Sequence, residues 1–276
     1  MAGPALLETV LSPRALVFTL GGDTPLTSWG ANCTAVAGRD GTLVVDPLIA
    51  PAHARLVEAA LAARGFPPVT HCLLTHHHTD HALGAGWFAG RGVACACHRA
   101  CAEGMAAQHP PAVLARRRDP LLAALFADAE PHRPALVFER SWSVDLGGVA
   151  VEAHHVGPGH TPGDVAVLVP SEGVVAAGDL LFAGYHFNYE EADVDGLSAA
   201  LDRLAAFGAR RVVPGHGAAG GPELVAAQRR YHGEVARLVR AAASEATARA
   251  AVREAFPGLQ LLEGVESALQ RLRPAG

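Results

Sequence analysis

Apolar residues recur in short alternating stretches along the early part of the chain: ALVFTLGG from Ala15, ANCTAVAG from Ala31 and TLVVD from Thr42. Gly21-Gly22 and Asp40-Gly41 separate them with residues that tolerate positive φ, so the pattern predicts three strands joined as a meander. A helical repeat follows from His53 to Arg64 and stops at Gly65, ahead of Pro67-Pro68. HCLLT, residues 71–75, then predicts a buried strand that runs directly into HHHTDH, and GVACAC predicts another. From Arg99 to Pro134 the regular pattern breaks. This alanine-, arginine- and proline-rich stretch predicts one or two helices with loops, an insertion whose length suits a lid. Strand patterns resume at ALVFE, SWSVDL, VAVEAHHV, DVAVLVP and GVVAAGD, which together read as a second meander. A helix from Leu197 to Phe207, the strand RRVVPG and a mostly helical tail over 222–276 complete the chain. Two β-rich halves flanked by helices imply an α/β sandwich with the sheets inside, expected to be one domain over residues 1–276.

Half the residues are apolar, with no charge blocks, which points to a globular chain. A net charge of −5 and the absence of lysine argue against a nucleic-acid partner, because phosphate neutralisation needs a positive patch. Arg116, Arg117 and Arg118 form the one basic triplet, read first as a solvated helix face and second as a site for an anionic substrate group. No apolar run is long enough to cross a bilayer, and the first residues lack the pattern of a secretory leader. Five cysteines, an odd number, do not suggest a disulfide framework, so the expected setting is soluble and cytoplasmic. Cys95, Cys97 and Cys101 beside His98 read as small hydrophobes of a buried strand rather than a metal site.

The chemistry gathers where strands end. In Thr75-His76-His77-His78-Thr79-Asp80-His81, the spacing of His76 and His78 lets both face one side of an extended segment, while Asp80 and His81 at the turn face another centre. Imidazole nitrogen and carboxylate oxygen both suit zinc. Alone, a histidine-rich hexad is weak evidence. However, Gly159-His160-Thr161-Pro162-Gly163-Asp164, Gly178-Asp179 and Pro214-Gly215-His216-Gly217 each add a ligand-type residue on a loop after an apolar strand.

HHHTDH resembles the H-x-H-x-D-H motif of the metallo-beta-lactamase superfamily, and GHTPGD, AAGD and PGHG resemble its later ligand motifs in the same order, over residues 15 to 220. The resemblance implies a four-layer αββα sandwich. It puts one metal on His76, His78 and His160, a second on Asp80, His81 and His216, and Asp179 between them. It implies two zinc ions, with iron or manganese as alternatives, and hydrolysis of an ester, thioester or lactone in a small-molecule substrate by a metal-bound hydroxide. Asp80 and Asp179 are the expected catalytic carboxylates. Tyr185 joins them, because some lactonase members polarise a carbonyl with a tyrosine near this position; the alternative is that Tyr185 and the aromatics after it pack the loop over the sandwich edge. Aspartate at position 179, where zinc β-lactamases usually carry cysteine or serine, implies that this is not a classical β-lactamase. Asp46 is read either as accepting a hydrogen bond from a ligand histidine or as capping the turn at Pro47, and Trp29 first as a core or edge-packing residue and second as lining the cleft. His77 is not expected to be a ligand, and Thr161 is read as a turn residue. Within hydrolysis, the alternative is a phosphodiesterase. Outside it stand a mononuclear iron oxygenase like the persulfide dioxygenases, for which the second ligand set would be superfluous, and a purely structural metal site.

Overall fold

The computed structural model describes residues 5–273. Its first half comprises β1 (Leu7–Ser12), β2 (Ala15–Thr19), β3 (Asn32–Ala37) and β4 (Thr42–Val45), then helix α1 (Pro51–Ala63) and β5 (Val69–Leu73). The short helices α2 (Thr79–Ala82) and α3 (Ala85–Ala89), strand β6 (Ala94–His98), the long helix α4 (Arg99–Arg118) and β7 (Leu136–Phe138) follow. These seven strands form one mixed sheet in chain order, antiparallel from β1 to β4 and parallel from β4 to β7. The second sheet contains β8 (Ser141–Asp145), β9 (Ala150–His155), β10 (Val165–Val169), β11 (Val174–Ala176) and, after helix α5 (Val194–Ala206), β12 (Arg211–Val213). Its pairs are antiparallel except β11 with β12. Helices α6 (Glu223–Ala241), α7 (Glu245–Ala255) and α8 (Glu263–Leu272) form the tail. No described helix is long and apolar enough to cross a membrane.

Strand alternation builds the layers, because successive side chains point to opposite faces of a sheet. On β2, Ala15 and Val17 pack between the two sheets, whereas Leu16 and Phe18 face α1. Leu73 of β5 and Ala96 of β6 likewise face the second sheet, while Cys72, Cys95 and Cys97 face the helix side. The cysteines are buried, free and packed as small hydrophobes. In the second sheet Val165, Val167 and Val169 look inward, while Ala166 and Leu168 look toward α5. Sheets inside and helices outside give the expected four-layer αββα sandwich. The tail packs through a separate cluster in which Tyr231, Val235, Val252 and Leu269 meet Phe187 and Tyr189.

Two strands depart from the expectation. β1 precedes the predicted meander; Leu7 and Val10 are exposed, so it carries no alternating buried signal. The pattern puts ALVFE in the second meander, but β7 pairs in parallel with β6 in the first sheet. A run of three residues with Leu136 and Val137 exposed holds no information about its partner, which is chosen by tertiary packing. The insertion folds as the single helix α4 followed by turns.

The sandwich brings its loop edges together. Val165 N at the start of β10 donates to Thr75 O beyond β5 at 2.9 Å, and Gly215 N beyond β12 donates to Gly178 O beyond β11 at 2.7 Å. Asn32 at the start of β3 ties in the same edge, its side-chain amide donating to Pro214 O at 2.9 Å and Gly217 O at 2.7 Å.

Candidate metal centre

All seven candidate ligands come together at this edge, in two groups that share one carboxylate. His76, His78, His160 and Asp179 offer ligand atoms within 4.8 Å of one another, as do Asp80, His81, Asp179 and His216. Asp179 Oδ2 lies 3.7 Å from His76 Nε2 and 3.4 Å from both His160 Nε2 and His216 Nε2, while Oδ1 lies 3.0 Å from His81 Nε2. Gly215 allows this convergence, since a Cβ there would collide with the Asp179 carboxylate. Asp80 Oδ2 lies 3.2 Å from His216 Nε2.

The other side of each ring fixes which nitrogen is free. Asp46, buried at the end of β4 with φ +55°, accepts from Thr75 N at 2.8 Å and from Thr75 Oγ1 at 2.6 Å; its Oδ2 also lies 3.0 Å from His81 Nδ1. With its hydroxyl hydrogen committed to Asp46, Thr75 Oγ1 can only accept from His76 Nδ1, 3.0 Å away. His160 Nδ1 donates to Asn188 O at 3.1 Å, and His216 Nδ1 to Trp29 O at 2.9 Å. Four rings thus commit their Nδ1–H to an outer acceptor and turn Nε2 inward, the arrangement in which an outer hydrogen bond orients a metal ligand. His78 is reversed. Its Nδ1 lies 2.9 Å from His160 Nε2, and its Nε2 lies 3.8 Å from Glu191 Oε1. His76 Nε2 and Asp179 Oδ1 are buried without a hydrogen-bond partner among the described residues. Orphaned atoms of this kind carry a cost unless something binds them, and a set of nitrogen and carboxylate donors in two groups fits a dinuclear metal centre.

Electrostatics divide the imidazoles, though not strictly by group: burial opposes charge on His78, yet Glu191, Asp80 and Asp179 outweigh it and raise its pKa. Burial pushes His76 well below its ordinary pKa and His160 down to about 3, against the pull of Asp179. Burial opposes charge on His81 and His216 as well, but Asp179 and Asp80 outweigh it, holding His81 well above its usual range and His216 at about 9. Burial also opposes ionisation of Asp179, yet His81, His216 and His76 keep its carboxyl well below the usual range.

Comparison with known proteins agrees with this arrangement. Residues 26–216 match the family model described as the Metallo-beta-lactamase superfamily. The chain belongs to that superfamily. It is 36% identical over 93 residues to a metallo-beta-lactamase type 2 of Bacteroides fragilis, covering 32% of this chain and 37% of that protein. It is 32% identical over 170 residues to a hydroxyacylglutathione hydrolase of Alkalilimnicola ehrlichii, covering 61% of this chain and 55% of the relative. The chain therefore matches only about a third to a half of the length of these curated relatives. Among solved structures, a metallo-beta-lactamase from Pontibacter korlensis superposes with a TM-score of 0.63 at 22% identity, covering 80% of this chain and 96% of that one, a likeness of fold.

In this member of the superfamily the centre opens onto a cleft of about 400 Å³, walled by Trp29, Asp80, Asp179 and His216, by Gln108 and Arg116 of α4, and by Glu190, Glu191 and Glu263. The insertion helix thus borders the cleft. Trp29 sits on strained backbone, with Ser28 and Trp29 both at positive φ, and this turn delivers the carbonyl that orients His216.

The structure does not bring Tyr185 into the cleft. Its ring lies behind His216, the two centroids 5.6 Å apart, but its hydroxyl donates to Gly22 O at 3.0 Å and its ring borders a separate apolar recess. Acting on a substrate would require that bond to break.

Two residues that hold the site escaped the sequence reading. Glu191 lies 3.1 Å from His77 Nε2 and accepts from Gln108 Nε2 at 2.6 Å; His77 and His78 hold its carboxyl well below the usual range. Nothing in the sequence around Glu191 signals this role. Asp164 accepts from His160 N at 2.6 Å and from Thr161 Oγ1 at 2.6 Å, fixing the loop that carries His160. Burial pushes its carboxyl up to about 7 against those bonds. The TPGD turn was its signal. Thr161 serves that turn, and His77 is buried against Gly104, where a Cβ would strike its ring at 2.5 Å.

Proposed function

We propose that this chain is a metal-dependent hydrolase that cleaves an ester, thioester or lactone in a small-molecule substrate with two ions, zinc by the nature of the donors. The observation that carries this reading is Asp179, one buried carboxylate belonging to both ligand groups. His76, His78 and His160 would hold one ion, Asp80, His81 and His216 the other, and Asp179 both. When bound, two divalent cations supply a nucleophile from water at neutral pH and an electrophile that polarises the bond under attack. The chain's own residues prepare for this. Asp46, Thr75, Asn188 and Trp29 hold four rings with Nε2 inward, so loading would displace the Nε2 protons of His81 and His216 but would not need the rings to turn. Asp80, half-buried in the cleft wall, is the carboxylate positioned to orient the attacking water.

The complete second group favours hydrolysis over mononuclear iron chemistry, and the hydroxyacylglutathione hydrolase relative, by its name a hydrolase of an acylated thiol, supports a thioester among the candidates. Aspartate at position 179 favours this class over β-lactam cleavage. The test pairs metal content of protein purified without added metal with hydrolysis of esters, thioesters, lactones, β-lactams and phosphodiesters. Two zinc ions per chain and turnover of a carboxylic ester, thioester or lactone are expected. One iron and no hydrolysis would overturn the reading, and preference for a β-lactam or phosphodiester would replace its substrate class.

A further inference from the structure

The three arginines of the basic triplet have separate fates. Arg117 is spent on the fold, donating to Phe126 O at 3.1 Å, to Ala129 O at 2.6 Å and to Glu130 Oε1 at 2.6 Å. Arg118 is exposed. Arg116 is half-buried in the wall of the cleft that holds Asp80, Asp179 and His216, and it is the one arginine among the described lining residues. Its guanidinium lies 6.0 Å from the centre of the Trp29 ring and 5.3 Å from that of Phe126, and Nη2 donates to Thr79 Oγ1 at 2.8 Å. That bond uses one of five N–H donors. The guanidinium makes no other hydrogen bond and no ion pair among the described residues.

We infer that Arg116 anchors a carboxylate on the substrate, giving the site a preference for anionic over neutral substrates. A partly desolvated cation resting on aromatic rings without a counter-ion is costly, and an arriving anion recovers that cost through the planar fork that matches a carboxylate. A monoanion is favoured over a phosphate dianion. Asp80 acts on the guanidinium electrostatically, and Glu190, Glu191 and Glu263 line the same cleft, so each further negative charge on the ligand meets repulsion. The inference rests on the hydrolase reading for its kinetic test but has a binding test of its own.

The kinetic test compares para-acetoxybenzoate with para-acetoxybenzamide, the same acetyl ester with and without the charge, on metal-replete wild type, Arg116→Gln and Arg116→Lys. Wild type should prefer the carboxylate in kcat/KM by roughly tenfold to a hundredfold, the range of one charge-assisted hydrogen bond. In Arg116→Gln the preference should collapse to within about twofold, mainly through KM, and Arg116→Lys should retain part of it. A purely structural role through Thr79 would slow both esters alike and leave the ratio standing, which would overturn the inference. The binding test titrates para-hydroxybenzoate and para-hydroxybenzamide into the same proteins by calorimetry. A carboxylate preference that vanishes in Arg116→Gln supports the anchor; one that persists places the carboxylate on the metal ions and overturns it. If wild type cleaves neither ester, the hydrolase reading loses this class of substrate and the calorimetric result alone decides the role of Arg116.

Discussion

Around Asp179 the molecule builds two ligand groups by different means. The first takes two histidines from the loop beyond β5 and a third from the loop before β10; the Thr75 hydroxyl and the Asn188 carbonyl orient His76 and His160, and the Glu191 carboxylate lies 3.8 Å from His78. Burial keeps His76 and His160 neutral. The second adds Asp80 as a carboxylate of its own, takes its imidazoles from α2 and the loop beyond β12, and is oriented by Asp46 and by a carbonyl on strained backbone at Trp29. There the carboxylates outweigh burial and draw His81 and His216 toward the protonated form. The same residue type therefore behaves in opposite ways a few ångströms apart. What differs is the second carboxylate, Asp80, which stands with Asp179 beside His81 and His216, together with the partners behind the rings, which the ligand motifs do not contain.

The comparison can be broken most decisively at its shared member. Asp179→Ala should lower turnover by at least roughly a thousandfold and leave one ion or none per chain, by elemental analysis; two retained ions with near-normal activity would remove Asp179 from both groups. Stripping the ions from wild type with a chelator should abolish hydrolysis and lower Tm by roughly 10 °C, because ligands held at a thousand times their Kd stabilise by about 4 kcal/mol. An unchanged Tm would mean that the clusters bind nothing tightly. Finer substitutions should separate the groups. Asp46→Asn, which touches His81 directly and His76 only through Thr75, should weaken binding at the second group by about 10–100-fold and at the first by less, and Glu191→Gln, beside His78, should weaken the first by about tenfold. The spectrum of cobalt-substituted protein reports the two environments, and equal perturbation of both by either variant would mean that the two groups share one supporting layer. Tyr185→Phe should have the smallest effect, less than about twofold on kcat/KM with a loss of about 1 kcal/mol in denaturant unfolding. A hundredfold fall in turnover would return Tyr185 to the chemistry.

Much of this protein was legible along the chain. Alternation in ALVFT and VAVLV divided inward from outward positions because a strand has a period of two residues, and that local rule suffices to imply two sheets with helices outside. The loops after buried strands carried the histidines and aspartates in plain view, and the resemblance of their ordered motifs to the superfamily picked out the seven candidate ligands. Cysteines 95 and 97 could be read as packing residues from the strand pattern around them. Tertiary structure decided the rest. The partner of β7, the meeting of Glu191 with His77 and His78, the Trp29 carbonyl behind His216, the turning of Tyr185 toward Gly22 and the different fates of Arg116 and Arg117 all depend on residues brought together from separate segments. No periodicity or local propensity encodes such contacts. They arise only when the sheets, the insertion helix and the tail have packed and each buried polar group has found the partner that its desolvation demands.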